Sequence, residues 1–256
     1  MDTKLKELNK TNIPQLTLQY FKHHYTVEFF NSQLKFNEDI AKKSYQLRHQ
    51  VYCEELGFES SNYSRCETDL YDANSAGCLI STKISKEPIA SVRLIQQIDK
   101  TIELPCLNSF RREHPEEYNA VQSNIETNNY AEISRLLILN DFRSKSSNND
   151  HNPLTTNYLL LSLFASTMIL SENLDSMLFM CETKMLALFK KIGFPFHLLS
   201  QKRIHHKGVR VLIKIIPKEA LLYMHTDNPH MKTIVGLIQY MQDEKPLKLF
   251  ESLSYH

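Results

Sequence analysis

Hydrophobic and polar residues follow strand-type and helix-type patterns in turn along most of the chain. Residues 25–32 are rich in β-forming side chains and predict a first strand. Behind Asn37, apolar residues recur at roughly helical intervals as far as residue 56, which predicts a helix with an Asn cap. Residues 59–75 are polar and turn-rich, so we predict a loop there.

A β-hairpin and a third strand are predicted next. The segments 78–84 and 88–98 are β-type and are separated by the polar stretch SKE, which is typical of an antiparallel hairpin. An irregular or helical insertion over about 104–129 then leads to a strand at 130–139. Because alternate strand residues face opposite sides, Glu132 and Arg135 point apart unless a β-bulge intervenes.

The second half of the chain alternates helix and strand. We predict helices at 154–170 and 182–193, the second ended by Gly193, strands at 176–181, 196–200 and 208–216, and a half-buried helix near 230–242. The densely apolar part of the first helix, Tyr158 to Leu170, has only 13 residues, so we expect a buried helix rather than a membrane span. The pattern predicts an α/β or α+β sheet in one domain, 1–256, with a core of about 25–217 and a helical extension of about 218–256.

Charge and cysteine content narrow the class of protein. The chain has 30 basic and 29 acidic residues, so no overall field attracts nucleic acid or an anionic membrane. The N-terminus lacks the apolar core of a secretory signal, and the five cysteines have no CxxC spacing. We therefore expect a cytoplasmic, enzyme-sized protein without a disulfide framework or a metal site.

An acidic cluster in the loop CETDLYD is the first candidate site. Its carboxylates, Glu67, Asp69 and Asp72, could compensate the ammonium or sulfonium group of a substrate. Alternatively, they pair with Arg48, Arg65 or Arg93 in a solvated loop. Arg48 and Arg93 both lie beside apolar sequence, where an unpaired charge is costly, so each should bind a carboxylate; Arg93 could also order the loop around a substrate.

Glu132 is the candidate general base. It could remove a proton, directly or through water, from an amine that attacks a thioester, while backbone N–H groups beside an interrupted strand stabilise the oxyanion. The alternative is an ion pair with Arg135 or another basic residue at the sheet edge. Cys181 is a less attractive nucleophile because buried, unreactive cysteine is the commoner state.

The basic segment KRIHHKGVR has two interpretations. Adjacent His205 and His206 point in different directions in a strand, so this pair does not suit a metal site. An exposed hairpin is the simpler interpretation. Otherwise the segment is a docking surface for an acidic carrier protein, and the basic residues of that surface would be Lys202 and Arg203 together with Arg143 and Lys145.

The spacing of these residues resembles that of the acyl-homoserine-lactone synthases and their relatives, which have the acyltransferase fold of the GNAT superfamily. The matching residues are Arg48-x3-Tyr52-x5-Phe58, Glu67-x-Asp69-x-Tyr71-Asp72, Arg93 and Glu132-x2-Arg135, over about residues 40–140. The later part of the chain looks closer to a sister group, the N-acyl amino acid synthases and the PEP-CTERM/exosortase-associated acyltransferases.

The resemblance implies a GNAT-like acyl-CoA N-acyltransferase fold, with a mixed central sheet flanked by helices and an extra C-terminal helix. It implies transfer of a fatty acyl chain from acyl carrier protein, or from coenzyme A, to an amine. The catalytic residues would be Glu132 and Arg135, and the substrate-binding residues Arg48, Tyr52, Phe58, Glu67, Asp69, Asp72 and Arg93. No tightly bound cofactor is implied.

Two features bear on the substrates. NDFRSKSS lacks the glycine-rich loop that cradles coenzyme A in GNAT enzymes, which favours a carrier-protein donor. Tyr52 and Phe58 replace Phe and Trp of the lactone synthases, and we expect the choice of acceptor to depend on them. We expect the acyl chain to lie between the 158–170 helix and the strand SMLFM. The alternatives are a lactone synthase using S-adenosylmethionine and a non-catalytic acyl-binding or carrier-docking module.

Overall fold

The computed structural model describes residues 18–98, 101–125, 127, 129–143, 154–223 and 228–243. The helices are α1 (residues 18–24), α2 (Glu38–His49), α3 (Pro105–Glu113), α4 (Tyr118–Ile125), α5 (Asn140–Arg143), α6 (Leu154–Leu170), α7 (Thr183–Ile192), α8 (Pro217–Tyr223) and α9 (Pro229–Asp243). The strands are β1 (Tyr25–Asn31), β2 (Ser75–Thr82), β3 (Pro88–Gln96), β4 (Tyr130–Ile138), β5 (Ser176–Glu182), β6 (His197–Leu198), β7 (Ile204–His205) and β8 (Val209–Ile215).

The strands form one mixed sheet in the order β1-β2-β3-β4-β5-β8-β6, with β7 also paired to β8. Neighbouring strands run antiparallel except for β4 and β5, which are parallel. The parallel pair requires a crossover connection, and α6 lies within it. The predicted hairpin, the mixed sheet and the flanking helices are confirmed.

Helices cover both faces of the sheet. On one face, Ser44 of α2 forms a hydrogen bond with Ser91 of β3, 2.7 Å between the two Oγ atoms. On the other face, Cys78 of β2 forms a hydrogen bond with Ser166 of α6, and α6 packs against α9. Because Cys78 pairs with Val92, the neighbour of Ser91, these two contacts lie on opposite faces. The sheet is therefore the middle layer between α2 to α4 and the pair α6 and α9.

The C-terminal helix belongs to the same hydrophobic core as the sheet. Met231, Ile234, Leu237 and Met241 are fully buried in a cluster that includes residues of α6. The predicted apolar stripe is therefore the packed face of α9. Within the described residues, no helix is long and apolar enough to cross a membrane.

Two local predictions need correction. Asn37 precedes α2, but its backbone is left-handed and its side chain donates to the carbonyl of Phe29 at 2.8 Å instead of capping the helix. The regular helix ends at His49 and continues as a π-helix, Gln50–Glu55. The strand predicted at 196–200 is reduced to the two residues of β6, which pair with the edge of β8.

The structure has a bulge in β4, the condition under which Glu132 and Arg135 need not point apart. Ser91 of β3 lies opposite Leu137 and Arg93 opposite Ser134, so β4 has one extra residue between these pairs. Arg135 has a positive φ of 49°, as the extra residue of a bulge can have. The extra residue changes the alternation of the strand, so Arg135 can contact the same loop as its neighbours.

Just before this bulge β4 and β5 separate. Their parallel ladder ends at Ile133 opposite Phe179, although β4 continues to Ile138 and β5 to Glu182. The inner edges of both strands therefore face an open cleft, and their backbone groups there have no partner in the β4–β5 ladder. This cleft is the concave feature around which the candidate site is built.

We expect Gly77→Ala to destabilise the fold by about 2 kcal/mol, because the core next to it has no space for a methyl group. A Cβ at this position would lie 2.4 Å from Cζ of Phe30 and 2.6 Å from the carbonyl oxygen of Val92. Gly236→Ala in α9 is the control, since its Cβ would meet only the flexible Leu18 side chain at 3.2 Å. Urea unfolding measures both, and equal losses would contradict the close approach at Gly77.

Candidate active site

A buried ion network joins α2 to the acidic loop. Arg48 is 1% exposed, and its Nε donates to Oε2 of Glu67 at 2.5 Å. Its Nη1 and Nη2 donate to the two carboxylate oxygens of Asp72 at 2.6 and 3.2 Å. The loop is also tied to α2 through its backbone, because the Glu67 N–H donates to the carbonyl of Tyr45. Arg48 therefore fixes the loop on the helix.

Arg93 and Arg135 attach the same loop to the sheet. Arg93, also 1% exposed, donates from Nη1 to Asp69 at 2.6 Å and to Asp72 at 2.7 Å, while its Nε donates to Oγ of Ser134. Arg135 donates from Nη2 to Glu67 at 2.6 Å and to Asp69 at 3.2 Å. Each of the three carboxylates thus binds two of the three arginines.

The network balances its own charge. Burial acts to raise the pKa of Glu67, but hydrogen bonds and charge from Arg135 and Arg48 outweigh it and lower this pKa to about 2. The pKa of Asp69 is lowered in the same way, chiefly by Arg93 against the opposing effect of burial. The carboxylates predicted to compensate a substrate cation are thus already paired. Of the arginines considered as partners, Arg65 is not one, because it pairs with Glu54 at the surface.

Glu132 has a different environment on the same face of the sheet. It is 3% exposed, and in the ladder it lies between Ile95 and Leu178, both buried in the cluster covered by α3 and α4. Its Oε2 accepts the backbone N–H of Cys106 at 2.9 Å, in the first turn of α3. Desolvation raises the pKa of Glu132 to about 7, against the opposing effect of the hydrogen bonds from Cys106.

The alternative in which Glu132 pairs with a base at the sheet edge is not observed. Among the described residues Glu132 forms no salt bridge; Arg135 binds Glu67 and Asp69 instead. A carboxyl group with a pKa near 7 exchanges its proton readily at neutral pH, as a general base must.

Glu132 lines a cavity of about 780 Å³ at the opening between β4 and β5. The apolar part of the cavity wall comes from the π-helix after α2 and the residue that follows it, and from β4, β5 and α7. It includes Val51, Leu56, Leu136, Ile138, Phe179 and Met185. Helix α6 contributes only Thr156 and Leu160. Most of this helix is buried in the core, so of the 158–170 segment expected to contact an acyl chain only Leu160 lines the cavity.

The two altered aromatics stand together on the cavity wall. The rings of Tyr52 and Phe58 are stacked with centroids 6.5 Å apart, and the guanidinium of Arg135 lies 5.4 Å from the Tyr52 centroid. The π-helix that follows α2 carries Tyr52 to this position. The aromatic pair therefore borders both the ion network and the cavity.

The basic residues predicted to dock a carrier protein have different surroundings where the structure describes them. Arg143 lines the cavity and pairs with Glu55, whereas Lys145 lies outside the described residues. Lys202 and Arg203 do not line the cavity, and Lys202 contacts Glu117 at 3.5 Å. The KRIHHKGVR segment is the β7–β8 hairpin, as predicted. Its two histidines diverge: His205 contacts Glu113, whereas His206 lines the cavity.

Several cavity residues were not identified from the sequence. Cys106 lies 26 residues before Glu132, in the insertion predicted only as irregular or helical, so no pattern in the sequence connects the two residues. Three cations come from the late part of the chain: Lys184 from the first turn of α7, Lys207 from the β7–β8 turn and Arg210 from β8. No group of His, Cys, Asp or Glu suited to a metal ion occurs among the described residues.

Residues 47–149 match the family model described as "Acetyltransferase (GNAT) domain". This part of the chain is therefore similar to a GNAT domain. The matched segment begins next to Arg48 and includes the acidic loop, β3 and the bulged β4, so it contains the whole ion network and Glu132. No curated protein matches the chain.

Solved structures have a similar fold over most of the chain. The AHL synthase LasI has a TM-score of 0.53 at 16% identity, covering 76% of this chain and 91% of its own. BjaI, a CoA-dependent acyl-homoserine lactone synthase solved with SAM and isopentyl-CoA, gives 0.52 at 16%, covering 83% and 98%. FeeM, an N-acyl amino acid synthase from uncultured soil microbes, gives 0.50 at 11%, covering 79% and 98%. At these identities the likeness establishes the fold.

We expect Arg48→Met to destabilise the fold by about 3–5 kcal/mol, because it leaves Glu67 and Asp72 buried without one of their partners. Arg65→Met is the matched control: its pair with Glu54 is exposed, and its loss should cost less than about 1 kcal/mol. Denaturant unfolding at neutral pH compares them. Similar losses of unfolding free energy in the two variants would show that the buried network stabilises the fold no more than the exposed Arg65–Glu54 pair does.

The side chain of Cys106 should lower the pKa of Glu132, against the larger effect of desolvation. Cys106→Ala removes the thiol donor and should raise this pKa, while Cys106→Ser offers a stronger donor and should lower it, each by about 0.5–1 pH unit. Carboxyl ¹³C NMR titration gives the values, with the signal assigned by its loss in Glu132→Gln. Cys78→Ser, buried on the other side of the sheet, is the control. Shifts of the same sign in both Cys106 variants would contradict this role.

Proposed function

We propose that this protein is an N-acyltransferase that moves a fatty acyl group from an acyl carrier protein or coenzyme A thioester to the amine of an amino acid or similar small molecule. The observation that carries the proposal is Glu132, a buried carboxyl group with a pKa of about 7 on the wall of the cavity between the separated strands. An amine and a thioester that meet in this cavity lie beside a base suited to neutral pH.

The proposed reaction is direct attack. Glu132 takes a proton from the amine, directly or through one water, as the nitrogen bonds to the thioester carbonyl carbon. The negative charge that develops on the carbonyl oxygen is stabilised by backbone N–H groups of β4 beyond Ile133, where the ladder to β5 has ended. The intermediate then releases the thiolate, and the thiolate accepts the proton from Glu132. The products are an amide and a free thiol, and Glu132 is again ionised.

Arg135 supports this reaction as a scaffold. It occupies the bulge two residues after Ile133, at the start of the unpaired edge, and binds Glu67 and Asp69 of the loop. The positive φ at Arg135 is held by these ion pairs, so the direction of the neighbouring N–H groups depends on them. Arg48 and Arg93 hold the loop from the other side and keep it in place.

The apolar wall suits the acyl chain of the donor. Leu136, Leu160 and Phe179 line one part of the cavity, and each methylene buried there would contribute about 0.8 kcal/mol. For the donor's carrier we favour acyl carrier protein, because NDFRSKSS offers no glycine-rich cradle. Arg143 at the cavity, together with Lys145, Lys202 and Arg203, remains the proposed docking set.

An amino acid is a better acceptor for this cavity than S-adenosylmethionine. A sulfonium cation calls for an unpaired carboxylate, whereas Glu67, Asp69 and Asp72 each bind two arginines. A lactone synthase remains the alternative within the same fold, and the mass of its product distinguishes it. If the protein were a non-catalytic acyl-binding module, Glu132 could be held in a salt bridge away from the cleft. Among the described residues Glu132 forms no salt bridge, and it lines the cavity.

The test is to incubate the purified protein with dodecanoyl acyl carrier protein or dodecanoyl-CoA and a panel of amino acids, and to identify products by mass spectrometry. An amide-linked dodecanoyl amino acid is expected. S-adenosylmethionine is included as a further acceptor, with a lactone as its diagnostic product. Absence of any acylated amine with every donor and acceptor would refute the proposal.

Glu132→Gln should reduce kcat by about 10²- to 10⁴-fold, because an amide cannot accept the proton. In the wild type, kcat/KM should rise with pH through a midpoint near 7, since Glu132 is protonated and inactive below that value. Glu28→Gln on β1 is the control, because this exposed glutamate is also on a strand but does not line the cavity. Unchanged turnover in Glu132→Gln would remove Glu132 as the base.

A further inference from the structure

Most charged side chains on the cavity wall are already paired with an opposite charge. Asp69 binds Arg93 and Arg135, Glu59 binds Lys207, and Arg143 binds Glu55. These groups hold the wall together and have little free charge to offer a ligand. A substrate that carries a charge must therefore find a group outside these pairs.

Arg210 is such a group. It lies on β8, across the cavity from β4, and its guanidinium is held by two backbone carbonyls of the β7–β8 turn: Nε donates to His206 at 2.7 Å and Nη2 to Lys207 at 3.3 Å. Among the described residues it forms no ion pair with a carboxylate, and its Nη1 has no hydrogen-bond partner. The carbonyls fix the planar group, so a ligand would not have to order it.

The charges around Arg210 leave it available to an anion. Glu182 is its ladder partner on β5 but is exposed and forms no ion pair with it. Lys184, in the first turn of α7, is a second cavity-lining cation without a carboxylate partner among the described residues. His206 adds no charge at neutral pH, because burial and then the charges of Lys207 and Arg210 lower its pKa. Lys207 itself binds Glu59.

We propose that Arg210 binds an oxyanion of a substrate, in the first place the carboxylate of the amine acceptor. A guanidinium with a free edge suits a group with two or three oxygens, and an amino acid bound this way would be held by its carboxylate while its amine lies in the same cavity as Glu132. This inference rests on the proposed function and names the acceptor class. The phosphate of the donor's pantetheine arm would fit the same guanidinium. The test below distinguishes this phosphate from the carboxylate of the acceptor.

The site can be tested by binding, without turnover. Isothermal titration with N-dodecanoylglycine and with its methyl ester compares ligands that differ only in the carboxylate. We expect the wild type to bind the acid on the order of 10- to 100-fold more tightly, and Arg210→Met to abolish that difference. A second pair of probes, 4′-phosphopantetheine and pantetheine, isolates the phosphate in the same way. A preference within the second pair that Arg210→Met abolishes would assign the site to the donor.

Arg112→Met is the matched control, because Arg112 is exposed on α3 and does not line the cavity. Arg210→Lys keeps the charge and should retain part of the preference, which also covers the case in which Arg210→Met fails to fold. Equal affinities within both pairs of probes, or a preference that persists without the arginine, would overturn the inference. Failure of the wild type to form an acylated amine would instead overturn the proposed function.

Discussion

A network of three arginines and three carboxylates connects four parts of the chain: α2, the acidic loop, β3 and β4. Arg48 comes from α2, Arg93 from β3 and Arg135 from the bulge of β4, and all three bind the loop that carries Glu67, Asp69 and Asp72. In this poorly hydrated position the charges are stable only together, since removing one leaves its partners unpaired. The loop, the start of β2 and the bulge therefore take their positions as a unit.

Glu132 lies on the same face of the sheet, but it is surrounded by apolar residues and has no arginine partner among the described residues. Its ladder neighbours are Ile95 and Leu178, and its observed donors come from the first turn of α3 rather than from an arginine. Two kinds of carboxyl group thus lie a few residues apart: Glu67, kept ionised by arginines at a pKa of about 2, and Glu132, raised to about 7 by desolvation. The first kind is suited to structure, and the second to proton transfer.

Much of the fold followed from local pattern. The hairpin of β2 and β3, the end of α7 at Gly193 and the bounds of α6 were predicted, because each depends on nearby residues: a polar turn, a left-handed glycine, and a dense run of apolar side chains. The errors occurred where tertiary contacts decided the outcome. Asn37 donates to β1 instead of capping α2, and β6 is shortened to the two residues that reach the edge of β8.

For the candidate site, the sequence by itself determined which charges needed partners, and that Glu132 and Arg135 could face the same side only if a bulge intervened. Arg48 and Arg93 beside apolar residues, and the spacing of Glu132 and Arg135, followed from the cost of an unpaired buried charge and from the two-residue period of a strand. Only the tertiary structure decided that Cys106 binds Glu132 and that Arg210 faces the same cavity without a carboxylate partner among the described residues. The reason is physical: burial and hydrogen-bond partners set the charge state of a side chain, and here they come from segments that meet only when the sheet has formed.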